Sequence, residues 1–169
     1  MLIIKLNTPS FLQRTSLERF MNSHNIEEAK NCLIDFFGEM YVWESAVIET
    51  EERADNDELS EEEIQRYFKK AKEDLALIFE EFCEVGRAAK RLQDEGLSFN
   101  IPPEYDLEEN PIESILEKND KVIIETKPAS GLGFCYRYEL VNSENGWKIR
   151  DNRKYATLTP EAKWSSGLL

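Results

Sequence analysis

Histidine, glycine and long apolar runs are all scarce in this chain. It carries a single histidine, His24, and seven glycines in 169 residues. One imidazole leaves little for histidine-dependent catalysis or for a histidine-rich metal centre. His24, set among Asn22, Ser23 and Asn25, reads as a solvated or capping residue. No run approaches the roughly 18 apolar residues that a membrane helix needs. Met1–Leu6 is apolar but too short for the core of a signal peptide. The expectation is a chain that is neither exported nor inserted in a membrane, and therefore cytoplasmic. Cys32, Cys83 and Cys135 are odd in number and far apart, with no C-x-x-C pair, which suits buried free thiols in a reducing compartment.

Positive charge is also scarce. The formal net charge is −13, and residues 1–120 hold 29 acids against 13 bases, whereas residues 121–169 hold 5 acids against 8 bases. A field of that sign repels nucleic acid and anionic membranes and speeds encounter with basic partners. The acids are densest in "ETEERADNDELSEEE", residues 49 to 63, with nine carboxylates in fifteen positions and Arg53 as the only base. Glu61, Glu62 and Glu63 suit the first turn of a helix, where the macrodipole favours negative charge by about 0.3–1 kcal/mol each. Glu49, Glu51, Glu52, Asp55, Asp57 and Glu58 have no such reason to be there and are the candidate partner-binding residues.

Apolar periodicity sets the organisation. From Asn25, a candidate N-cap with Glu28 three residues on, the stripe Ala29, Leu33, Phe36, Met40, Trp43, Val47 has helical spacing. A second capping pair, Ser60 with Glu63, opens Ile64, Phe68, Ala71, Leu75, Ile78, Phe82, Val85, Ala89 and Leu92. That predicts a helix running to just before Gly96, roughly 45 Å long. Two such helices joined by a short acidic link should fold back as an antiparallel hairpin, since neither buries its seam alone. Pro111 suits the first turn of a short helix over 111–118. From Lys121 the period becomes two: "KVIIET", "GFCYRYELV" and "GWKIRD" read as strands, the last two joined by a hairpin ending in Asn145-Gly146. Met1–Leu6 is a candidate edge strand. The expected fold is α+β, one domain over 1–169, with a helical part over about 25–118 and a sheet part over about 121–151. A long antiparallel helical hairpin packs on a small curved antiparallel sheet.

Motifs for chemistry are few. Asp55-Asn56-Asp57 starts like a calcium loop, but Leu59 takes a ligand position and the turn glycine is missing. Gly131-Leu132-Gly133-Phe134 matches a carboxylate-binding loop of PDZ domains, yet in these helix-rich surroundings it reads as a tight turn before a strand. Tyr41, Trp43, Tyr136, Tyr138 and Trp147 would line a ligand pocket if helices and sheet enclosed one; packing is the plainer role for aromatics at such spacing. No catalytic, cofactor-binding or metal-binding residue is expected, and no cofactor.

The hairpin Tyr138-Glu139-Leu140-Val141, Asn145-Gly146, Trp147-Lys148-Ile149 resembles the closing hairpin of the nuclear transport factor 2-like fold, a curved sheet wrapping a long helix. "FFGEMYVWE", with Phe37, Met40, Trp43 and Glu44 on or beside one helical face, resembles the first helix of bacterial immunity proteins with that fold. The resemblance implies an antitoxin without turnover that binds a cognate polymorphic toxin domain, a basic one by the charge argument, and occludes it. Exposed Trp164 or Tyr105 would then add aromatic anchors. Because the superfold hosts many activities, two other readings stand: a small-ligand binder or enzyme of isomerase or dehydratase type, and an acidic scaffold or nucleic-acid mimic binding a basic protein.

Overall fold

The computed structural model describes residues 11–84, 99–157 and 164–166, with residues 11–23 as backbone only. Helix α1 spans Phe11–Asp55 and α2 spans Glu61–Phe82. Strands β1 (Ile112–Lys118), β2 (Lys121–Thr126), β3 (Phe134–Ser143), β4 (Gly146–Ala156) and the two-residue β5 (Ser165–Ser166) form one antiparallel sheet in sequence order. The fold is α+β: a helical hairpin laid on a meander sheet.

The two helical stripes behave as their spacing requires. Ala29, Leu33, Phe36, Met40, Trp43 and Val47 are all buried; in α2 Ala71, Leu75 and Phe82 of the expected stripe are buried, Ile64, Phe68 and Ile78 are half-buried, and Phe79, beside the stripe, is fully buried. Helix α1 touches β1 through β4 as well as α2, so it is the central element of the core. Phe37 meets Tyr105 and Tyr138 edge-on at 5.4 Å, and Phe36 meets Tyr105 at 5.5 Å. Such tilted pairs add about 0.5–1.5 kcal/mol each beyond area burial. Alternation in β2 buries Val122, Ile124 and Thr126, and Tyr136, Tyr138 and Leu140 of β3 lie on the same inward face.

Helix α2 starts as its capping box dictates. Glu63 Oε2 accepts from Ser60 N at 2.9 Å, while Ser60 Oγ accepts from Glu63 N at 3.4 Å. Its end, however, departs from the periodic reading. The helix stops at Phe82, and Cys83 is extended (φ −111°, ψ 152°) and pairs in parallel with Ile149. Glu84 N donates to Ile149 O at 3.0 Å. The seam is therefore about 33 Å of helix followed by strand-like chain, in which the Glu84 amide takes a carbonyl of β4 in place of an i−4 carbonyl. Val85, Ala89 and Leu92, like the proposed edge strand Met1–Leu6, lie outside the described residues.

The sheet explains what holds that end. Glu139 pairs with Asp151 but Leu140 pairs with Ile149, which leaves Arg150 as the extra residue of a bulge. The bulge turns its guanidinium onto Glu84 as a fork, with Nε–Oε2 2.8 Å and Nη2–Oε1 2.7 Å. Next to it the Lys148 ammonium donates to the carbonyls of Glu80 and Glu81, two of the last free acceptors of α2, where positive charge is favoured.

Four further expectations need correction. Asn25 does not cap α1, because the helix has already run from Phe11; His24 is exposed on this helix, where it pairs with Glu28 at 3.1 Å, and Asn25 is half-buried. Residues 111–118 are not a helix but strand β1 from Ile112, so the sheet begins at Ile112, runs through Ala156 and adds β5 at Ser165–Ser166. Asn119 and Asp120 both have positive φ, 51° and 59°, the pattern of a type I′ turn that twists two strands into a hairpin. Tyr105 is buried, at 3% exposure, and is a core ring. Trp164, also expected to be exposed, is half-buried: Tyr155 lies edge-on to it at 4.7 Å and Arg137 over it at 4.1 Å.

Removing the cap in Ser60→Ala should lower the unfolding free energy by about 1 kcal/mol, read by urea denaturation. The Glu84–Arg150 fork gives a pH signature. The hydrogen bond from Arg150 holds the Glu84 carboxyl below its ordinary value of 4.5, so its contribution is complete above about pH 4.5 and fades as pH falls through the lowered folded value. The stability gap between wild type and Glu84→Gln should accordingly be largest near neutrality and close on acidification, as followed by denaturation between about pH 6 and 3.

Candidate partner-binding site

Where α1 turns into α2 the backbone closes in a Schellman arrangement: Glu58 N donates to Arg53 O at 2.9 Å and Asp57 N to Ala54 O at 3.1 Å. Asp57 takes the left-handed position, φ 57°, that glycine usually fills. The turn is thus fixed by the backbone, and it displays Glu49, Glu52, Asp55, Asp57 and Glu58 to solvent, with Glu51 half-buried. Arg53 reaches Glu58 at 3.6 Å. The sequence-predicted acids are thereby brought together around one short turn. One of them, Asp57, also serves the turn itself.

Below that crown the helices diverge and leave a groove of about 510 Å³. Its α1 wall is Glu39, Val42, Trp43 and Ala46, one stripe at helical spacing; its α2 wall includes Tyr67, Leu77 and Ile78. Trp43 forms part of it and is fixed in place by its indole N–H, which donates to Ala71 O at 2.8 Å. Val42 and Leu77 stand 65% and 63% exposed, which is unusual for branched apolar side chains facing each other across a cleft. The polar lining is Glu39, Asp74, Glu81 and Lys70, and Lys70 is already held by Asp74 at 2.5 Å. Glu49 lies three residues beyond Ala46, so the acidic crown continues the same helical stripe.

The sheet carries the bases, and many of them are paired. Arg137 binds Glu125 at 2.7 Å, Lys121 binds Glu139 at 2.7 Å, and Arg150 binds Glu84. Most of the uncompensated negative charge therefore belongs to the helical hairpin, and the loop before β1 adds Glu104, Asp106, Glu108 and Glu109 with no base among them.

The aromatics proposed for a pocket are dispersed. Tyr136 and Tyr138 lie inside the concave face, Trp43 lies between the helices, Tyr41 is exposed on α1, and Trp147 is half-buried where the Cys32 thiol donates to its carbonyl at 3.2 Å. What the concave face does hold is a polar core that the sequence reading did not single out. Glu44, fully buried, accepts from Glu104 N at 2.8 Å through Oε2. Tyr136 is hydrogen-bonded to Glu104, and Tyr138 to its cross-strand partner Asn152. Burial first, then the bond to Glu104, pushes the Tyr136 phenol above its ordinary range; burial does the same to Tyr138. Both stay neutral near pH 7, as does the Cys32 thiol, which burial raises to about 11. Packed, neutral phenols give this interior the character of a structural network. The GLGF segment is a turn, with Gly131 at φ 73° and Gly133 at φ 127°. Among the described residues no cluster of His, Cys, Asp and Glu is arranged to hold a metal ion, and no helix is long and apolar enough to cross a membrane.

A long helix seated on a curved antiparallel meander, with a second helix folded back beside it, defines an α+β protein of the nuclear transport factor 2 fold. The family model described as NTF2 fold immunity protein matches residues 28–166, and the chain belongs to that family. Comparison with curated proteins and with solved structures gives no significant match.

The turn chemistry can be checked directly. Asp57→Gly should hold or raise stability, by up to about 1 kcal/mol, whereas Asp57→Val should lower it by about 1–2 kcal/mol, because a β-branched residue resists the left-handed region. Thermal melts of the two variants against wild type decide this.

Proposed function

We propose that the protein, as a single cytoplasmic domain, is an antitoxin that binds one cognate toxin domain and neutralises it by occlusion, without catalysis. Membership of an immunity family implies a toxin partner. The observation that carries the finer reading is the distribution of charge: an exposed acidic crown, Glu49 to Glu58, fixed on a hydrogen-bonded turn, opposite a sheet whose bases are largely neutralised by their own acids. Such a surface complements a basic toxin face. Complementary fields raise the encounter rate and exclude like-charged competitors. A crown already held by backbone bonds also loses little freedom on docking. Tyr136 and Tyr138 of the concave face are buried and packed against other rings, with Tyr138 against Phe37, and this close packing supports the non-catalytic reading over that of a pocket-bearing enzyme.

Co-expression with the toxin domain encoded next to this chain should rescue growth, and the two proteins should co-purify. A neighbouring toxin that is neither bound nor neutralised sinks the proposal. Reversing Glu49, Glu51, Glu52, Asp55 and Glu58 to lysine, with Asp57 left to its turn, should slow association about tenfold or more at low salt and flatten its salt dependence. Unchanged association kinetics would reduce the crown to a solvated link.

A further inference from the structure

The groove between the helices has features that the acidic crown lacks. It is concave, about 510 Å³ in volume, within the roughly 300–1,000 Å³ of pockets that enclose ligands and anchor side chains. Its lip carries Val42 and Leu77, left 65% and 63% exposed. Single exposed apolar residues are ordinary, but these two line one cleft together with Trp43, Ala46 and Ile78. Trp43 is already pinned by its bond to Ala71 O, so the wall is rigid before anything docks. The only base in the lining, Lys70, is held by Asp74, which leaves the carboxylates of Glu39 and Glu81 on the rim. Glu49, one turn beyond Ala46, joins the groove to the crown.

We infer that this groove is the anchoring site for the toxin: it takes a segment that inserts a large apolar side chain between Val42 and Leu77 and places flanking lysine or arginine against Glu39 and Glu81. The inference rests on the antitoxin reading above and assigns the affinity-bearing contact to the flank of the hairpin, with the crown serving encounter. The chemistry of the lining selects the occupant. An apolar floor excludes a wholly charged peptide, and an acidic rim excludes an acidic one. Buried apolar anchors carry most interface affinity, whereas rim charges mainly tune association.

The test uses the full chain and the purified, catalytically inactivated toxin domain encoded beside it, with kinetics read by surface-based binding. Val42→Ser combined with Leu77→Ser should weaken affinity about tenfold or more, mainly by faster dissociation. Ala46→Trp, which fills the groove from an exposed position, should do the same while leaving the thermal melt of the free protein unchanged. Glu39→Lys with Glu81→Lys should mainly slow association. Tyr41→Ser, on α1 but outside the groove, should bind as wild type does. If wild type binds and both groove variants stay within about twofold of it, the groove assignment is overturned and the antitoxin reading survives. Wild type that fails to bind overturns both. Groove variants that leave toxin affinity intact but change the mass of the free protein in sedimentation would make the occupant a second copy of this chain, and the assignment would be wrong.

Discussion

The contact on which the other layers depend is the seating of α1 in the curve of the sheet, and above all the meeting of Phe36 and Phe37 with Tyr105 and Tyr138. Neighbouring positions on a helix point about 100° apart, so adjacent phenylalanines are both buried only where the helix is wrapped on more than one side. The sheet supplies one wall and the 104–107 loop, through Tyr105, supplies the other. Once α1 is held there, its remaining apolar stripe is available to α2, and α2 needs only one face. The second helix is accordingly amphipathic, with Ala71, Leu75 and Phe79 inward and a charged outer face.

A second constraint fixes α2 lengthwise. The helix ends where β4 can satisfy its chain: Cys83 and Glu84 pair with Ile149, Lys148 meets the last carbonyls, and the bulge at Arg150 directs a guanidinium onto Glu84. Each of these contacts is polar and local to one end. The opposite end, by the acidic turn, is held by the capping box, the Schellman bonds and the Arg53–Glu58 pair. The hairpin is thus clamped to the sheet at one end and is closed on itself at the other.

How much of this is legible in the residues follows from which forces are local. The stripes from Ala29 to Val47 and from Ile64 to Phe82, the box at Ser60 and Glu63, and the alternation in β2 and β3 are set by short-range spacing, and all are present. The hairpin at Asn145-Gly146 is present too, although Gly146 itself, at φ 94°, carries the left-handed turn and Ser143 pairs across to it. Strand β1 was misread because "IESILEK" after Pro111 has helical composition; the informative signal was the Asn119-Asp120 pair, two residues that tolerate positive φ. The end of α2 was not legible, since the 4, 3 spacing continues past it and only the distant Ile149 stops the helix. Nor was the groove: Val42 and Leu77 fall beside the apolar stripes, and an apolar residue there carries no mark of whether a cleft forms next to it. The buried Glu44 was noticed only as part of a motif, because its partner, the Glu104 amide, lies sixty residues away.

The left-handed residue at the turn has one more implication. Glycine would relax that backbone position at no steric penalty; an aspartate there holds a conformation disfavoured for L-residues by roughly 1–2 kcal/mol, eased by its short polar side chain. A carboxylate so placed has few ways to move, because the same bonds that end α1 dictate where its Cβ points. Asp57 is therefore less one of a brush of flexible acids than a charge with a fixed address, and an oppositely charged surface would sense its orientation as well as its sign.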